Sequence, residues 1–88
     1  MTTAHTDAPE VLTKAQSRRK ERDRKMLHDY VRLLEKDPGR SRMALYAFLL
    51  EKYCMASLSG LRTALMRAAS DSDTPKRLAE AYARLRER

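Results

Sequence analysis

The chain has little of what most active sites are built from. A single cysteine, Cys54, stands among 88 residues. That excludes an intramolecular disulfide framework and suits a reducing compartment. Cys54 has no evident partner and reads as a small hydrophobe. The only glycines, Gly39 and Gly60, leave no Gly-rich phosphate loop. His5 lies in the N-terminal tail, and no Cys or His sits at ligand spacing from His28, so neither a metal centre nor a nucleophile–base pair is indicated. No apolar run reaches the ~18 residues of a membrane span. The opening MTTAHTDAPE has neither the basic nor the apolar region of a signal peptide. There is no alternating strand pattern and no internal repeat. These absences predict an all-α cytoplasmic protein that is not an enzyme, with no catalytic residue, no cofactor, no metal and no membrane partner.

What the chain does have is positive charge. Its formal charge is +7, from 19 Lys and Arg against 12 Asp and Glu. The distribution is uneven: residues 14–25 hold seven bases and two acids, and residues 74–88 hold five and two. Such patches favour polyanionic partners, whether DNA, RNA or an acidic protein surface. The plain alternative is a solubilising surface.

Residues 1–12 are small and polar and read as a disordered N-terminus. Thr13-Lys-Ala-Gln16 is a capping box, with Asp7-Ala-Pro-Glu10 as a competing helix start. Residues 13–25 form a basic arm or helix extension. Gln16 to Lys25 (QSRRKERDRK) contains no apolar residue and is therefore expected to lack an anchor to the core. Its Glu21 and Asp23 suit pairs three or four residues apart on a solvated helix. A helical domain is expected over 26–88. Leu27, Tyr30, Val31 and Leu34 centre the apolar face of its first helix, which Asp37-Pro-Gly-Arg40 ends. Ser41 caps a second helix to about Tyr53. Met43 to Leu50 make that helix apolar almost all round, so burial on most sides is expected. Cys54 to Ser57 is a turn. Ser57 or Ser59 then caps a third helix to about Ala69, with Leu58, Leu61, Ala64, Leu65 and Ala68 inward and Ser59, Arg62, Thr63, Met66 and Arg67 outward. Thr74-Pro75 starts a fourth helix, Pro75 to Arg88, supported by a Glu80–Arg84 pair. Met43, Met55, Met66, Tyr46, Phe48 and Tyr53 read as core.

The stretch Leu49 to Leu65, LLEKYCMASLSGLRTAL, resembles the helix-turn-helix units of small bacterial and mobile-element DNA-binding proteins. Leu50-Glu-Lys-Tyr53 matches the end of such a first helix, Ser59-Gly-Leu-Arg62 the start of the second, and Leu65 a later core position. The preceding helix matches too, so the resemblance spans about residues 24–69. The chain departs from the pattern at Cys54 and Met55, where such families often carry Gly and a small hydrophobe, and its turn is one residue longer. The resemblance implies a four-helix, helix-turn-helix-like bundle with a basic N-terminal extension that binds double-stranded DNA as a small regulator or accessory factor. It implies that Ser59, Arg62, Thr63 and Arg67 face the groove and that Arg40 and Arg42 meet backbone phosphates. Arg18, Arg19, Lys20, Arg22, Arg24 and Lys25 would track phosphates or enter a minor groove.

The competing reading is a protein-interaction module, an inhibitor or adaptor presenting helices to a larger partner. An uncovered face on the second helix would serve such a partner or a homodimer. RNA binding ranks third, because no exposed aromatics are interleaved with the bases for stacking.

Overall fold

Thr13 begins the first helix through a reciprocal cap. Its hydroxyl accepts from the Gln16 N–H (3.1 Å), and the Gln16 side chain accepts from the Thr13 N–H (3.0 Å). The computed structural model describes residues 13–86. The tail 1–12 with its competing start, and the last two residues, lie outside them. The described residues form four helices and no strand: α1 (Lys14–Lys36), α2 (Arg42–Lys52), α3 (Leu58–Ser70) and α4 (Lys76–Arg86). No helix among them is long and apolar enough to cross a membrane.

The spine is α1, about 34 Å long at 1.5 Å per residue. The other three helices all pack on it, and α3 in turn touches both α2 and α4. The periodic residues of α1 behave as their spacing predicts: Met26, Leu27, Tyr30, Val31 and Leu34 are buried. They meet Leu45 and Leu49 of α2, Leu61, Ala64, Leu65 and Ala68 of α3, and Ala81, Tyr82 and Leu85 of α4. Tyr30 sits where three helices converge. Its ring stacks on Tyr46 at 5.9 Å between centroids and tilts against Tyr82 at 5.6 Å, both favourable aromatic geometries.

The expectation that α2 is buried on most sides is overturned. Only Leu45 and Leu49 are buried there, because α2 lies at the edge of the bundle and has neighbours on one side alone. Met43 is 61% exposed and Phe48 44%, and Met66 of α3 is 46% exposed. These three are therefore not core. Met55, Tyr46 and Tyr53 are partly buried against it.

The connection from α2 to α3 is ordered by hydrogen bonds. The Met55 N–H donates to the Leu50 carbonyl (2.9 Å) and the Cys54 N–H to that of Glu51 (3.3 Å). This nested pair closes a helix around one left-handed residue, here Cys54 at φ 54°. Cys54 is exposed, not a small core hydrophobe. It occupies the position that glycine fills at least cost, since a Cβ in this region costs roughly 1–2 kcal/mol. Cys54→Gly is accordingly expected to raise stability by up to about 1 kcal/mol, read as a higher urea midpoint. The hydroxyl of Ser57 then caps α3 by accepting from the Gly60 N–H (3.0 Å). Ser41 does the same for α2 through Ala44 (3.2 Å).

Two expectations at α4 need correction. The Thr74 hydroxyl does not cap α4. It is buried and donates backward to the Ala68 carbonyl (2.6 Å), which also accepts from the Asp71 N–H at the end of α3 (3.2 Å). Pro75 sits just ahead of the helix, where its carbonyl accepts from Leu78 and Ala79. Arg84 reaches Glu35 of α1 (3.6 Å) rather than Glu80, so the pair ties two helices together instead of supporting one.

Candidate nucleic-acid interface

The outward face of α3 follows from its inward one. Leu61, Ala64, Leu65 and Ala68 are buried, and the 3.6-residue period then turns Ser59, Arg62, Thr63, Met66 and Arg67 to solvent. All five are exposed. Leu58, Ser59, Arg62, Thr63 and Met66 line a shallow open groove of about 350 Å³ along this helix.

The basic half of α1 runs beside the C-terminal half of α3, and the contact overturns one expectation from sequence. The lack of apolar residues over Gln16–Lys25 predicts no hold on the core, yet Asp23 is only 2% exposed. One carboxylate oxygen accepts from the guanidinium of Arg22 (2.9 and 3.3 Å), the other from that of Arg67 on α3 (2.8 and 3.2 Å). A buried carboxylate is tolerable when each oxygen is met by a charged donor. Asp23 is thus a tether between helices, not an acid of a solvated surface. One turn earlier, Lys20 reaches the loop after α3, at 2.9 Å from Asp73 and 3.5 Å from Asp71. Its side-chain hydrogen bond to Asp73 is the main influence raising the Lys20 pKa.

A second buried carboxylate lies on the other flank of α1. Asp29 accepts from Lys52 Nζ (2.8 Å) and from the Tyr53 hydroxyl (2.6 Å), with Arg32 at 3.6 Å. Burial alone would raise its pKa, but Lys52, Tyr53 and Arg32 together hold it below the ordinary 3.8. The Tyr53 phenol is pushed up to about 12, first by burial and then by its bond to Asp29. Because the folded Asp29 pKa is depressed, its stabilising contribution is present above the unfolded value. It is lost as pH falls through the folded one. Asp29→Asn is therefore expected to cost about 1–3 kcal/mol at neutral pH. The gap to the unaltered protein should narrow in acid, checked by urea unfolding at about pH 7 and about pH 2.5.

The structure divides the twelve candidate residues into groups. Arg18, Arg19, Lys25, Ser59, Arg62 and Thr63 are exposed and make no side-chain ion pair with the described residues. Arg22 and Arg67 are held by Asp23 and remain partly open to solvent. Lys20 is engaged with the α3–α4 loop. Arg42 donates to the Leu85 carbonyl at the end of α4, and Arg40 lies 4.0 Å from Asp37. Arg24 is half-buried, its Nε enclosed and without a partner among the described residues. The exposed candidates thus lie on α3 and the N-terminal half of α1, while Lys20 and Arg42 are engaged within the fold. Sequence reasoning missed Asp23 and Asp29. The available signal was an acid at i−3 or i+3 from a core position (Met26 in both cases), which places it at the margin of the buried face.

Compared with known proteins, the chain matches no family model, and no curated protein or solved structure is significantly similar to it. No group of His, Cys, Asp or Glu able to hold a metal ion is present among the described residues.

Proposed function

We propose that this chain binds duplex DNA as a small regulator or accessory factor. The outward face of α3 meets the major groove, and the N-terminal half of α1 lies on flanking phosphates. The observation that carries the reading is the adjacency of two surfaces. A capped, core-anchored helix presents Ser59, Arg62 and Thr63, and beside it runs a helix presenting Arg18, Arg19, Arg22 and Lys25. Arg62 has the fork that takes guanine O6 and N7, while Ser59 and Thr63 suit base edges or phosphate. The resemblance to helix-turn-helix units supports this assignment of roles: α2 backs α3 and the Cys54 turn sets their angle. No catalytic role is part of the proposal.

A second reading rests on α2. Met43, Ala44, Ala47 and Phe48 are exposed without a charged residue between them, a face suited to a homodimer or to a protein partner. Ionic strength separates the two. Fluorescence anisotropy with a labelled random duplex at low and physiological salt should show affinity falling steeply with salt, because releasing counterions from the duplex becomes less favourable as the bulk concentration rises. Contact through the α2 face would change little with salt.

A further inference from the structure

We propose that the outward face of α2 pairs with the same face of a second copy of this chain, antiparallel, about a two-fold axis. This rests on the reading in which the α2 face meets a homodimer or a protein partner, and commits that face to the homodimer. It does not depend on duplex binding. The face is a single stripe. Arg40, Ala44, Ala47 and Glu51 fall along one line at helical spacing, with Met43 on one edge and Phe48 on the other. All six are exposed, because Leu45 and Leu49 turn the opposite side of α2 into the bundle. Arg40 stands just ahead of the Ser41 cap, where its N–H donates to the Asp37 carbonyl (3.0 Å).

The order of these residues selects a copy of the chain as the occupant. Read inward from either end, the stripe is charged, then large and apolar, then small. Its two ends differ only in the sign of the charge. A two-fold axis midway between Leu45 and Tyr46 sets each residue level with its counterpart, as an isologous contact requires. Ala44 then faces the partner's Ala47, and two such small side chains let the helix axes approach to the short end of the usual ~8–10 Å. Met43 lies level with the partner's Phe48, a thioether with an aromatic ring. Arg40 faces the partner's Glu51 at both ends. Neither charge is strongly engaged within its own chain. Glu51 makes no ion pair with the described residues, and the Arg40 guanidinium reaches Asp37 only at 4.0 Å. A parallel pairing would set Arg40 against Arg40 and Glu51 against Glu51, so the charges fix the direction. The stripe is also neutral overall on a chain of charge +7, which spares two copies a contact between like charges. Two 11-residue helices make a small contact, at or below the ~1,200 Å² low end of stable interfaces. The dimer is therefore reversible, with a dissociation constant in the micromolar range.

Sedimentation equilibrium of the full chain, from about 1 µM to about 1 mM, reads the association. The unaltered chain should pass from monomer to dimer. A monomer throughout overturns the proposal and leaves the α2 face to another protein. Arg40→Glu and Glu51→Arg, each alone, set like charges together at both ends and should raise the dissociation constant at least about fivefold. Both sites are exposed, and circular dichroism checks that helicity is kept. Mixed in equal amounts, the two variants should associate as the unaltered chain does, because opposite charges then meet at both ends. A dimer indifferent to both substitutions, or a mixture that does not recover, overturns the antiparallel pairing. Phe48→Ala distinguishes that failure from failure of the α2 reading. If it weakens a dimer that ignores the charges, the α2 face is the interface in another arrangement. If it does not, the interface lies elsewhere and both are rejected.

Discussion

Tyr30→Ala is expected to cost about 3–5 kcal/mol, in the range measured for aromatic-to-alanine changes in cores. That approaches the whole stability of a domain this size, on the order of 5–10 kcal/mol. Tyr30 is 1% exposed and is the one ring touching both Tyr46 of α2 and Tyr82 of α4. Removing it opens a cavity where three helices meet, and neither edge helix can close it without giving up its other contacts. α2 has the least to hold it, with only Leu45 and Leu49 fully buried, so it should detach first. Thermal and urea unfolding by circular dichroism read the loss. Tyr30→Phe keeps the ring and should cost below about 1.5 kcal/mol. A similar loss in both variants would contradict the packing argument.

The largest expected effect on function comes from stripping charges that the fold does not use. Arg18, Arg19, Lys25 and Arg62 make no ion pair with the described residues. Replacing all four by alanine should leave stability within about 0.5 kcal/mol per site. Duplex affinity should fall on the order of a hundredfold or more, and the salt slope should flatten by about three to four. The contrast is Arg42→Ala, which removes a donor from the Leu85 carbonyl and should weaken the fold through the α2–α4 contact. If the fourfold variant binds duplex as tightly as the unaltered protein, the basic half of α1 is solubilising charge and nothing more.

Local signals were legible where one residue type has one strong reason to be at its position. The Thr13–Gln16 box, the Ser41 cap and the inward face of α3 all emerge as their spacing predicts. So does the end of α1 at Asp37-Pro38. Signals failed where a long-range partner decides. Asp23 reads as one more surface acid until α3 places Arg67 opposite it. Thr74 reads as a cap until its hydroxyl is found on the carbonyl of Ala68. The apolar run of α2 promises a central helix, because composition reports what a helix could bury, not how many neighbours it has. The left-handed conformation of Cys54 is signalled only by the resemblance, in which glycine often stands there, because the cysteine itself does not mark such a position. The candidate interface was legible as a set of exposed bases. Its division into residues available to a ligand and residues such as Lys20 and Arg42 that hold the bundle required the structure.

The most direct test of the central claim is a residue-resolved map of where duplex DNA lands. A short random duplex should be titrated into the ¹⁵N-labelled full chain at low salt, following backbone amide shifts. The prediction is a contiguous set of perturbations over residues 58–67 of α3 and 14–25 of α1, fading as salt is raised. Perturbations confined to the apolar face of α2 around Met43 and Phe48, or none anywhere at low salt, would contradict it.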